Sequence, residues 1–266
     1  MIYILSQRIK TNWQWILIPL LLVCEFALDQ FILPVVYKLI LQNVHMGYYN
    51  KYILLINIYK VISILVILLL NYLLLKQALY LAPSKQKTGW LVFLIVCLGL
   101  FLSSIHSKHF WIALDIGLIA SLSEELLFRG LVLGKLMAIL NRVKTSRLRV
   151  NLAVVIAAVI FGLYHYVNLS QQSFGVTTVQ VVNAAGLGLV LGVIYVKSGS
   201  LWIPIALHFI YDFLVTIAKG FSISDYQALP HYAALASFMM FVIYAAAALT
   251  ALNVHYEKNT LLAKIH

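Results

Sequence analysis

The chain has 266 residues, 63% of them hydrophobic and only 10% charged, with a mean hydropathy of +0.97. A soluble protein of this size cannot bury so much apolar side chain, so the composition excludes an ordinary water-soluble domain. The net charge of +11 reads as basic loops at an anionic lipid surface, and nucleic acid is not an expected partner.

Apolar runs of close to the roughly 20 residues that cross a bilayer recur along the chain. Eight candidate spans fall near 14–37, 53–75, 90–105, 111–140, 151–168, 179–196, 201–218 and 232–253. The expected fold is an all-α polytopic membrane bundle, since the alternating pattern of a membrane β-barrel is absent. The first run follows Arg8 and Lys10, carries Glu25 and Asp29, and lacks a small-residue cleavage site. It reads as a membrane helix rather than a signal peptide. Cys24 and Cys97 both lie in apolar runs and imply neither a disulfide framework nor a cysteine-rich metal site.

Arg8, Lys10, Lys76, Lys85, Lys87, Arg142, Lys144, Arg147, Arg149, Lys197, Lys258 and Lys264 lie on one set of loops and termini, whereas the alternate set holds Lys38, Lys51, Lys108 and Lys219. By the positive-inside rule both termini face the cytoplasm. No soluble insertion interrupts the spans. The expected organisation is one membrane domain, with an N-terminal part at 1–110, a core at 111–218 and a last span with its tail at 219–266.

The polar residues within the spans carry the chemistry. Residues 124–129 read Glu-Glu-Leu-Leu-Phe-Arg. A charge at the bilayer centre costs about 3 kcal/mol or more, so these groups need compensation or a function. Successive helical residues diverge by about 100°. Glu125 and Arg129, four apart, therefore share a face and can pair, which leaves Glu124 facing elsewhere. Phe161 and His165 share a second face, and His208 and Asp212 a third. A carboxylate and a histidine can deprotonate a water, and a second histidine can stabilise an oxyanion. The same groups could instead ligate a divalent metal such as zinc. Glu25, Asp29, Asp115 and Asn183 are further polar groups within spans; Asp115 reads as snorkelling near an interface. Gly186, Gly188 and Gly192 read as close helix packing and not as a phosphate loop.

These three motifs, in order, resemble the CPBP family, also called the Abi or CAAX-protease and bacteriocin-processing family. Its pattern is Glu-Glu-x-x-x-Arg, then Phe-x-x-x-His, then His-x-x-x-Asn or a related residue. Here it reads Glu124-Glu125-x-x-x-Arg129, Phe161-x-x-x-His165 and His208-x-x-x-Asp212, within roughly residues 110–218. The resemblance implies an intramembrane endopeptidase of about eight helices, with a cavity open to the cytosol. Glu124 and His165 would activate water, and His208 and Asp212 would sit at the oxyanion side. Glu125, Arg129 and Phe161 would support them. It implies a peptide or protein substrate, lipid-modified or a bacteriocin, and a place in a bacterial plasma membrane. A metal-free, glutamate-dependent mechanism is favoured over a zinc-dependent one. Asp212 stands where CAAX-processing members have Asn, and an ionised carboxylate would repel an oxyanion. Two other classes compete: a non-catalytic immunity or interaction protein, and a proton-coupled transporter using Glu25, Asp29, Glu124 and Glu125.

Depth gives a check on the arrangement. Glu124 lies about 24 Å from a helix end at 140, and His165 about 21 Å from a start at 151, but His208 only about 10 Å from a start at 201. Either that helix begins deeper, or the spans tilt, or the span boundaries lie elsewhere.

Overall fold

The computed structural model describes residues 2–81, 87–143, 145–220, 229–230 and 232–265. The side chain of Asp29, one of the polar groups noted above, lies outside the described ones. The described residues form helices and contain no strand, and the chain divides into two compact units, Met1–Ala78 and Leu79–His266.

In the N-terminal unit, α1 (Ile2–Ala27) continues through a wide π turn at Leu28–Ile32 into Leu33–Val36. Pro34 follows that turn directly, as expected where a proline removes one helical donor and crowds the preceding carbonyl. The second helix, α2 (Tyr48–Leu70), ends through another wide turn at Asn71–Leu75. Between α1 and α2, Glu25 is buried, and its Oε1 accepts from the hydroxyls of Tyr59 and Ser63. These two donors offset part of the cost of burying a carboxyl group among apolar side chains.

The C-terminal unit contains α3 (Lys87–Ser104), α4 (Phe110–Glu125), α5 (Gly134–Ile139), α6 (Ser146–Tyr164), α7 (Phe174–Ser198), α8 (Trp202–Lys219), α9 (Ala233–Asn253) and the short α10 (Thr260–Ile265). Thr145 and Ser173 cap α6 and α7, each accepting from the backbone N–H three residues on. The α6–α7 pair is closely packed because its contact positions are small. A Cβ on Gly162 would lie 2.7 Å from the Val181 carbonyl oxygen, and one on Gly188 3.1 Å from Phe161. Gly186 faces α9 and Gly192 faces Val154, so Gly186, Gly188 and Gly192 all serve helix packing. An edge-to-face aromatic cluster of Phe101, Phe110, Phe209 and Phe213 joins α3, α4 and α8.

Six helices among the described residues are long and apolar enough to cross a membrane, and the protein is an integral membrane protein. Two expected spans are not among those six. The run at 90–105 has a shorter apolar stretch, Leu94–Ser104. The run at 111–140 is helical, but it widens into a π turn at Leu126–Leu133 and carries Asp115, Glu124, Glu125, Arg129 and Lys135.

The start of α8 is enclosed by other segments of the unit. The turn before α8 is not at a surface: Ser200 and Leu201 are both 0% exposed. Gly199 ends α7 in the left-handed region (φ +61°), and a Cβ there would lie 3.1 Å from the Leu261 backbone nitrogen of α10. Lys264 Nζ donates to the Gly199 carbonyl at 2.6 Å, and the Leu201 N–H donates to the Tyr80 carbonyl at 2.9 Å. The C-terminal segment and residue 80 thus cover the turn, and α8 starts inside the protein.

Candidate active site

The wide turn at Leu126–Leu133 begins directly after Glu125 and includes Arg129. Such turns cluster at functional sites because they re-aim side chains within a helix. Glu125 is fully buried and its Oε1 accepts two hydrogen bonds, from Arg129 Nη1 at 2.8 Å and from His208 Nδ1 at 2.8 Å. The first is the expected pair four residues apart. The second joins α4 to α8 across 83 residues and was not legible from spacing.

Arg129 is 2% exposed, and its other contacts tie the remaining motif to the same centre. Its guanidinium lies 4.4 Å from the centroid of the Phe161 ring, and Nη2 donates to the Gly188 carbonyl at 3.4 Å. A desolvated cation over an aromatic face is worth up to about 2 kcal/mol. Phe161 therefore does more than fill space. Both histidines meet it edge to face, His165 at 5.0 Å and His208 at 6.0 Å between ring centroids.

The hydrogen bonds fix which nitrogen of each histidine faces outward. His165 opens the tighter turn His165–Ser170 that ends α6, and its Nδ1 lies 2.9 Å from the Phe161 carbonyl oxygen. A carbonyl only accepts, so Nδ1 carries the proton and neutral His165 presents Nε2 as an acceptor. In His208, Nδ1 donates to Glu125. Its Nε2 lies 3.5 Å from Asp212 Oδ2 and 4.0 Å from Glu124 Oε2. Three carboxylates thus converge on one imidazole, while Arg129 balances the most buried of them.

A cavity of about 790 Å³ opens among α6, α7 and α8. His165, His208 and Asp212 line it, together with Phe161, Asn183 and Lys219. Glu124 is not one of its lining residues; its side chain is 22% exposed, and its carboxylate stands at the edge of His208. Asn183 and Lys219 were visible in the sequence only as a polar residue within a span and a loop cation. Asp115 is half-buried on α4, two turns before the glutamate pair.

The donor set was tested for a metal. Among the described residues no three His, Cys, Asp or Glu side chains are grouped so as to hold a metal ion. Glu124, His165, His208 and Asp212 do not form such a group in this arrangement.

Residues 106–214 match the family model described as Rce1-like, type II CAAX prenyl endopeptidase. The match spans all three motifs and the helices that bring them together. No curated protein and no solved structure matches the chain.

Proposed function

From the match of residues 106–214 to the type II CAAX prenyl endopeptidase model, we propose that this chain is an intramembrane endopeptidase whose reaction centre is the cluster of Glu124, His165 and Asp212 around His208 and Phe161. The observation that carries the reading is that His165, His208 and Asp212 line one cavity while Glu124 reaches His208 within 4.0 Å. Buried ionisable groups that converge at membrane depth on a cavity are more often functional than structural.

In this reading a water molecule is held between the Glu124 carboxylate and His165 Nε2. Glu124 takes one proton from it, and the hydroxide oxygen attacks the peptide carbonyl carbon. The carbonyl π electrons move onto oxygen and give a tetrahedral oxyanion. His208, anchored through Nδ1 to Glu125, donates from Nε2 in its protonated form to that oxyanion. Glu124 then passes its proton to the leaving nitrogen as the C–N bond breaks, and the products are a carboxylate and an amine. Arg129 pairs with Glu125, and Glu125 fixes the imidazole of His208. Asp212 orients His208 from its other ring nitrogen. The substrate is a peptide or protein segment that enters from the membrane, and both termini of the enzyme face the cytoplasm.

The test is cleavage of a panel of short prenylated and unprenylated peptides by the full chain in nanodiscs, with and without a strong chelator. Glu124→Ala is expected to lower the rate by about 10²- to 10⁴-fold, the usual contribution of a general base. Chelator is expected to change nothing. A folded Glu124→Ala protein with wild-type rates would refute the proposal, and loss of activity with chelator, restored by added metal, would refute its metal-free form. The panel also separates a lipid-modified substrate from an unmodified peptide such as a bacteriocin precursor.

A further inference from the structure

The cavity raises a question that the three motifs leave open. A tetrahedral oxyanion needs hydrogen-bond donors, and in a water-poor site each preorganised donor has a large effect. At the third motif the chain has Asp212, a carboxyl group without the amide N–H that an asparagine would supply. His208 has one nitrogen committed to Glu125 and offers at most one donor to substrate. The motif residues alone therefore leave the oxyanion with a single side-chain donor and a carboxylate nearby.

We propose that Asn183 supplies the missing donor and is a further catalytic residue; the inference rests on the endopeptidase reading above. Asn183 lines the same cavity as His165, His208 and Asp212. Its amide has no hydrogen-bond partner among the described residues, although it is only partly exposed within a membrane helix. A carboxamide left unpartnered there costs free energy unless something hydrogen-bonds to it. Its height along α7 matches the reaction centre. Val181 and Ala185, two residues to either side, pack on Gly162, the residue after Phe161, and Gly188 packs on Phe161 itself.

The other polar side chains of this cavity are less suited: Thr216, a buried hydroxyl, lies about 12 Å along α8 from His208. Gln180 accepts from Asn168 at 3.0 Å, which binds it to the turn carrying His165. Gln172 lies before α7 and accepts from Thr177 at 3.4 Å. Tyr211 is 39% exposed, and Lys219 is exposed near the end of α8, about 16 Å along the axis from His208 at the rise of a helix. Asn183 thus combines a neutral donor, an unmet hydrogen-bonding capacity and the right level. Its NH₂ group would donate to the oxyanion without adding charge, opposite the His208 imidazole.

The experiment is steady-state cleavage in nanodiscs by wild type, Glu124→Ala, Asn183→Ala, Asn183→Asp, Tyr211→Phe and the double variant Asn183→Ala/Asp212→Asn, each first checked for wild-type thermal unfolding. An oxyanion donor predicts a kcat loss of about 10²- to 10³-fold for Asn183→Ala with KM little changed. Asn183→Asp, which keeps the shape, is expected to lose as much, and Tyr211→Phe to keep its rate. Asp212→Asn in the Asn183→Ala background is expected to recover at least about tenfold, because it returns an amide donor to the same cavity. If Glu124→Ala is inactive and Asn183→Ala or its isosteric Asp variant keeps wild-type kcat, the inference falls while the endopeptidase reading stands. If Glu124→Ala retains activity, the reading falls and the inference with it. If Asn183→Ala does not fold, the Asp variant alone decides.

Discussion

Glu25 in the N-terminal unit and Glu125 in the C-terminal unit are both buried carboxylic groups in apolar helices, and they are compensated differently. Glu25 accepts from two hydroxyls, those of Tyr59 and Ser63. Glu125 accepts from an arginine and a histidine, and through them reaches Phe161, Gly188 and the cavity. Neutral donors from one neighbouring helix tie two helices together. An arginine and a histidine from two helical segments build a polar centre, and such a centre can orient the groups around it. The comparison separates a carboxylate used for helix pairing from one wired into a site.

The largest expected effect comes from removing one member of the ionic centre. Arg129→Met leaves Glu125 buried beside His208 without its cation, and loss of one partner of a buried pair costs about 3–5 kcal/mol. A fall in thermal unfolding temperature, measured by scanning fluorimetry in nanodiscs, checks it; unchanged stability would mean that Glu125 does not depend on Arg129. At the N-terminal carboxylate the effect is smaller. Tyr59→Phe combined with Ser63→Ala removes both donors and is expected to cost about 1–3 kcal/mol, with cleavage unaffected. A loss of cleavage from that pair, at intact stability, would join the two carboxylates that the comparison separates. The smallest effect is expected at the turn before α8. Lys264→Met removes one charge-assisted bond to the Gly199 carbonyl and should cost about 1 kcal/mol, read from the same melting curves. A larger loss would show that the C-terminal segment sets the start of α8 more strongly than one hydrogen bond.

What the sequence disclosed and what it hid follow from the range of the interactions. Pairs four residues apart were legible because helix geometry alone brings them together: Glu125 with Arg129, Phe161 with His165, His208 with Asp212. The contact of His208 with Glu125 was not, since nothing in local spacing says which helices pack or at what height. The cover over the start of α8 was not legible either. A helix start is read as a membrane surface, whereas here Leu201 is buried under Tyr80 and α10, a contact between segments far apart in the chain. The long run at 111–140 was expected as one span, and its charged residues and wide turn set it apart from the six apolar crossing helices. The cavity face of α7 was hidden because its polar residues, Gln180 and Asn183, are scattered among glycines and valines whose pattern reads only as packing.

The central claim is that the charged cluster around His208, and not the buried carboxylate of the N-terminal unit, performs the chemistry. The most direct measurement is peptide cleavage by Glu25→Gln and Glu125→Gln, two isosteric changes, in nanodiscs under identical conditions with both proteins shown to be folded. The account predicts wild-type kcat for Glu25→Gln and a loss of about 10- to 100-fold for Glu125→Gln, the scale on which residues that orient a functional histidine contribute. Equal activities of the two folded variants, or a loss confined to Glu25→Gln, would contradict it.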